Sequence, residues 1–225
     1  MNALAVYDRI QSALSRAGRK DKVIFAAVSK TRTVDEMHEA ENFACIDCFG
    51  ENRVQEAEAK RKVYGTSRLA WRLIGHLQAN KARKAVELFD AIDSIDSPEL
   101  AERVDRIAGE LGKTMPVLLE VNTSGEASKS GTNPENLLQL AEKVITLPNL
   151  RLEGLMTVGP LTDSERKIRN AFAELRGLSE KARTLTGLPL PVLSMGMSGD
   201  FEMAIQEGST MVRIGTLLFG PREYH

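Results

Sequence analysis

Short, continuously apolar runs alternate along this chain with longer stretches in which apolar residues recur every third or fourth position. The short runs are "VIFAAV" from residue 23, "CIDCFG" from 45, "LAWRLIG" from 69, "AIDSI" from 91, "MPVLLEVN" from 115, "RLEGLMTVG" from 151, "LPVLSMGMS" near 190 and "TMVRIGTLLFG" from 210. Their length and bounding turn residues predict eight buried strands. Between them, "RTVDEMHEAENF", "NRVQEAEAKRKVY", "NKARKAVELF", "SPELAERVDRIAGEL" and "NPENLLQLAEKVITL" carry helical periodicity behind capping residues. Residues 3 to 17 add a helix before the first strand. Eight strands alternating with crossover helices predict an α/β fold, a single (β/α)8 (TIM) barrel domain spanning 1–225 with an extra N-terminal helix. An open doubly wound sheet is the competing arrangement.

Composition narrows the function classes. The 225 residues carry 30 Lys plus Arg against 31 Asp plus Glu, a net charge of -1, so bulk electrostatics gives no reason to expect nucleic acid or an anionic membrane as partner. The amino terminus mixes charged and apolar positions and lacks the apolar core and cleavage site of a secretory signal, and no run reaches the roughly 20 apolar residues of a bilayer span. A soluble, cytoplasmic protein is expected. The two cysteines, Cys45 and Cys48, fall in the predicted strand "CIDCFG", where residues three apart face opposite ways, so a disulfide or metal pair is not expected. His38, His76 and His225 have no metal spacing beside them.

A barrel gathers its chemistry at the carboxyl ends of its strands. Those ends hold Ser29-Lys30-Thr31, Gly50-Glu51-Asn52, Gly75-His76-Leu77-Gln78, Asn122 with "TSGEASKSG", Met156-Thr157, Met195 to Asp200, and Arg213 followed by Gly215-Thr216. Lys30 sits where a strand turns into a helix opened by Thr33 and Glu36. It reads either as a solvated surface charge or as a Schiff-base lysine, which needs a neutral amine that burial or a neighbouring cation provides. "SKT" lacks the glycine-rich lead of a P-loop. Ser198, Gly199, Gly215 and Thr216 are small or hydroxylated residues after strands seven and eight, where many barrels bind phosphate; each alone also reads as a turn residue. Arg213, in the middle of "MVRIGTLLF", reads as a snorkelling or paired arginine, or as a cation directed at a ligand. Asn52 reads as a helix cap or a ligand contact.

Taken together, "VSKT", "FGENRVQEAEAK", "GHLQANKAR", "SIDS", "VNTSGEASKSG", "LEGLMTVGP" and "LSMGMSGDFEMAIQEGSTMVRIGTLLFG" resemble the pyridoxal phosphate homeostasis proteins, whose barrel is similar to the amino-terminal domain of alanine racemase. The likeness spans essentially the whole chain. It implies pyridoxal 5′-phosphate as cofactor, held as an aldimine on Lys30, with Ser198, Gly199, Gly215 and Thr216 on the phosphate. It also implies Arg213 facing the pyridine nitrogen, and Asn52, His76 and Met195 lining the site. Arg53 departs from an aromatic residue that many relatives carry.

The resemblance further implies a protein of vitamin B6 homeostasis that limits free aldehyde and supplies it to apo-enzymes, with little or no catalysis. Strand eight ends near Phe219 and the chain at His225, so the second domain of racemases, with its opposing tyrosine base, is not expected, and a monomer is. The rival is an amino-acid racemase using Lys30 and Tyr224 as two bases; Tyr7 and Tyr64 fall away from the working face. A Schiff-base aldolase leaves the phosphate cradle and Arg213 unexplained. Lys129, in the loop after strand five, reads as a solvated residue or as a gate over the mouth.

Overall fold

The computed structural model describes residues 1–126 and 129–221. Eight parallel strands close on themselves in sequence order: β1 (Ile24–Val28), β2 (Cys48–Glu51), β3 (Ala70–Leu73), β4 (Ala91–Ile95), β5 (Met115–Glu120), β6 (Leu150–Met156), β7 (Val192–Ser194) and β8 (Met211–Ile214). Closure is made by β8 against β1, with Phe25 opposite Val212 and Ala26 opposite Arg213. The predicted barrel is therefore the fold. Helices α1 (Ala3–Arg16), α2 (Val34–Glu41), α3 (Val54–Tyr64), α4 (Ala82–Leu88), α5 (Pro98–Glu110), α6 (Leu137–Ile145), α7 (Glu165–Thr186), α8 (Phe201–Gln206) and α9 (Thr216–Phe219) lie outside it or precede it.

Strand alternation sorts the residues into two apolar layers. Ala26, Cys48, Leu118, Met156, Val192 and Met211 fill the barrel interior, while Phe25, Phe49, Trp71, Val117, Leu155, Val212 and Ile214 face the helices. Between sheet and helices Trp71 meets Phe49 and Tyr64 edge-on at centroid separations of 5.9 and 5.3 Å, a favoured aromatic geometry. Gly154 lets β6 approach β7: a Cβ there would sit 1.8 Å from the Val192 carbonyl oxygen. No side chain fits. The leading helix α1 packs on α8 through Arg9, whose guanidinium stacks 4.9 Å from the Phe201 ring and binds Glu202 at 2.9 Å.

Two expectations are corrected. The run at 45 becomes a strand only from Cys48; Cys45 lies in the preceding turn, its thiol 3.9 Å from the Ala3 carbonyl, because the chain must still climb from α2 to the barrel floor. The run "TMVRIGTLLFG" stays a strand only to Ile214, after which Thr216–Phe219 wind into the short helix α9. Cys48, inside the barrel, has its thiol pushed up to about 12 by burial, so it is inert at neutral pH. No helix among the described residues is long and apolar enough to cross a membrane.

Candidate functional site at the barrel mouth

Lys30 is half-buried in the turn between β1 and α2. Thr33 caps α2 by accepting the Glu36 amide, and Glu36 returns a carboxylate to the Thr33 amide at 2.7 Å, forming the expected capping box. The residues either side of Lys30 are held from below. Lys60 of α3 donates to the Ser29 carbonyl at 2.6 Å and to Glu51 at 2.7 Å, and the Ser29 hydroxyl donates to the same Glu51 oxygen at 2.8 Å. Glu56 accepts from the Thr31 amide at 2.5 Å and pairs with Lys60 at 2.7 Å. Thr31 has a φ of 62°, an unfavourable left-handed conformation for a β-branched residue. Burial raises the Glu51 carboxyl against the pull of Lys60.

The β7 and β8 ends form the opposite side. Ser198 accepts from the Leu217 amide at 3.3 Å, so the loop after β7 and the first turn of α9 meet around Gly215 and the exposed Thr216. Beside Gly199 the space is open: a Cβ built there meets nothing within 4 Å. Arg32, two residues beyond Lys30, reaches across to the far end of α9, donating to the Phe219 and Gly220 carbonyls at 3.5 and 2.5 Å. Arg32 thus anchors the segment after the lysine turn to the end of α9.

Arg213 projects into the barrel, 3% exposed, and donates at 2.7 Å to the Ser194 hydroxyl and at 2.7 Å to the Thr157 carbonyl. Burial lowers its pKa, opposed by Asp93, Glu120 and Asp200 through space. Glu120, opposite Met156 in the β5–β6 register, is 5% exposed and its Oε2 has no hydrogen-bond partner among the described residues. Burial, reinforced by Asp96 and opposed by Arg213, pushes its carboxyl up to about 7. His76 stands at the rim, its Nδ1 3.4 Å from Asp96, beside a groove of ≈ 530 Å³ that Asn52, Arg53 and Lys81 also line. Gly75 permits this arrangement, since a Cβ would come within 2.3 Å of the Asn52 carbonyl. The buried Oδ1 of Asn52 has no partner among the described residues.

Lys30, Asn52, His76, Ser198, Gly199, Arg213, Gly215 and Thr216 all lie at or just inside the carboxyl ends of the strands. Met195 does not join them: its side chain is fully buried in the apolar layer outside the barrel, because it alternates with the inward Ser194. Tyr64 is at the carboxyl end of α3, hydrogen-bonded to Glu41 at 2.7 Å, and Tyr7 is on α1, so neither reaches the mouth. Tyr224 lies outside the described residues. Lys129 binds Glu126 at 2.7 Å and the Gly159 carbonyl at 2.8 Å, which ties the β5 and β6 loops together. Sequence reasoning passed over Lys60, Glu56, Glu120 and Arg32. Lys60 left a signal: it occupies the buried stripe of α3 with Val54, Ala57 and Tyr64. No group of three or more His, Cys, Asp or Glu among the described residues is placed to hold a metal.

The alanine racemase N-terminal domain model matches residues 2–223. A protein of Aquifex aeolicus named pyridoxal phosphate homeostasis protein is 41% identical over 220 residues, 97% of this chain and 96% of its own. This chain belongs to that family. A namesake from Pseudomonas aeruginosa is 44% identical over 231 residues, covering 99% of this chain and 95% of its own. Among solved structures, PipY of Synechococcus elongatus with PLP bound superposes with a TM-score of 0.81 at 40% identity, over 94% of this chain and 100% of that one. An alanine racemase of Clostridium difficile shares the fold, with a TM-score of 0.74 at 18% identity over 96% of this chain and 57% of that chain.

Proposed function

We propose that this chain binds pyridoxal 5′-phosphate in the barrel mouth, carries it covalently on Lys30, and serves intracellular vitamin B6 homeostasis by limiting the free aldehyde and supplying it to apo-enzymes, as a monomer with little or no catalytic activity. The observation that carries the reading is the meeting, at one mouth, of a strand-end lysine, a hydroxyl-and-amide cradle and a buried arginine. It is supported by the full-length likeness to proteins named for pyridoxal phosphate homeostasis and to a solved relative with PLP bound. The residues suit such a ligand. Ser198 and the Leu217 amide converge beside the open space at Gly199, and Asn52 Oδ1, without a partner among the described residues, can accept from a ligand.

Each residue then has a task. Ser198, Gly199, Gly215 and Thr216 hold the phosphate through hydroxyl and backbone donors. Arg213, fixed by Ser194 and Thr157, faces the ring nitrogen, and Asn52 and His76 line the rim. When bound, the cofactor supplies an aldehyde that a lysine amine captures and, with its ring nitrogen protonated, an electron sink. A permanent cation opposite that nitrogen disfavours its protonation, which supports carriage over carbanion chemistry.

The first test is the visible spectrum of wild type and Lys30→Ala with added pyridoxal phosphate, before and after borohydride reduction. A band that depends on Lys30 and is fixed by reduction is expected; identical spectra would overturn the reading. Transfer of the cofactor to an apo-enzyme, with no turnover in enantiomer-resolved assays of amino acids, distinguishes carrier from racemase.

A further inference from the structure

The contacts beneath the β1–α2 turn are made by residues other than those assigned above to phosphate and ring, and they converge on the two residues that flank Lys30. Lys60 is 8% exposed, a buried cation on a helix that otherwise presents apolar residues to the barrel. Buried ammonium groups are costly unless paired and hydrogen-bonded, and Lys60 has three acceptors: the Ser29 carbonyl, Glu51 and Glu56. Glu56 in turn accepts from the Thr31 amide, and Thr31 is held left-handed.

We infer that Lys60 and Glu56 form a clamp that fixes the peptide groups on both sides of Lys30, and so sets the direction in which its amine meets the aldehyde. Lys60 and Glu56 are positioning residues. The inference rests on the Lys30 reading above. An unclamped turn would relax Thr31 toward the ordinary right-handed or extended regions, and rotation at φ of residue 31 swings the lysine relative to the α9 side that Arg32 holds. The clamp therefore acts on the covalent bond to the aldehyde, not on non-covalent docking of phosphate and ring, whose contacts come from β2, β3, β7 and β8.

This separation gives the test. Dissociation constants are measured for pyridoxal phosphate and for pyridoxine phosphate, an analogue with an alcohol in place of the aldehyde that cannot bond to Lys30. The proteins are wild type, Lys30→Ala, Glu56→Ala, and Lys60→Met combined with Glu51→Gln, which removes both buried charges so that neither is left unpaired. For the clamp variants the aldehyde is expected to bind about tenfold more weakly or worse, the scale of a slight misplacement of a reacting group, with affinity for the alcohol unchanged. Equal loss for both ligands would mean a merely structural role, and no loss for either would mean no clamp; both overturn the inference. If the double variant does not fold, Glu56→Ala alone decides. If Lys30→Ala binds the aldehyde as wild type does, the Lys30 reading itself fails, a result distinct from failure of the clamp.

Discussion

Two arginines enter the interior of the same barrel and are treated in opposite ways. Arg72 on β3 is gripped by Asp93 on β4 through three contacts, of 2.7, 2.9 and 3.1 Å, with Glu153 a further 3.8 Å away. Its pKa is raised by that carboxylate despite burial. Among the described residues, Arg213 on β8 donates to a hydroxyl and a carbonyl, both neutral, and its pKa is lowered by burial. The nearby acid, Glu120, keeps its own Oε2 without a partner among the described residues. The first arginine is neutralised within the fold. The second is oriented by neutral groups and feels Asp93, Glu120 and Asp200 only through space, which is what the proposed role toward a ligand requires.

The comparison breaks most visibly at Arg72. Arg72→Met leaves Asp93 buried without its hydrogen-bonded partner and is expected to destabilise by about 3–5 kcal/mol in urea unfolding, whereas Arg213→Met strands two neutral oxygens and withdraws a through-space cation from Glu120 and Asp200, at about 1–2 kcal/mol. Comparable losses from the two would erase the distinction. The next largest effect is on ligand binding. Pyridoxal phosphate at a hundred times its dissociation constant is expected to stabilise wild type by about 2.7 kcal/mol, and this gain shrinks in Arg213→Met but survives in an Arg72→Met, Asp93→Leu double variant.

Glu120 sharpens the comparison through pH. Its carboxyl rises from 4.5 to about 7 on folding, so below pH 4.5 both folded and unfolded states hold the proton. Between pH 4.5 and 7 only the folded state does, stability falls with rising pH, and above 7 the loss is complete. Glu120→Gln is expected to remove that slope and to be more stable than wild type at pH 8 by on the order of 2 kcal/mol, with little difference at pH 4. A slope that persists in the variant would assign it elsewhere. Smallest is Ser194→Ala, which takes one acceptor from Arg213 and is expected to cost about 1 kcal/mol by thermal unfolding while weakening cofactor binding.

Much of this was legible from local pattern. The strands, the crossover helices, the Thr33–Glu36 capping box and the placement of Lys30, Ser198 and Arg213 at strand ends follow from periodicity and capping chemistry, which act over a few residues. Met195 entered the site through the family resemblance, and a strand only three residues long offers too little alternation to show from sequence that its side chain turns outward. Cys45 was misplaced because an apolar turn and an apolar strand end look alike in sequence.

The chain's own pattern determined eight short apolar strands joined by crossover helices and most of the residues at their carboxyl ends, since crossover handedness leaves few ways to bury such strands. Only the tertiary structure decided that Lys60, thirty positions beyond Lys30, lies beneath it, that Arg32 ties the lysine turn to α9, and that Arg72 is gripped by a carboxylate while Arg213 is held by a hydroxyl and a carbonyl. Those are contacts between elements distant in sequence, and their energies depend on burial and on which acceptor arrives opposite which donor. Closure of the sheet, with β8 beside β1, is what brings them together.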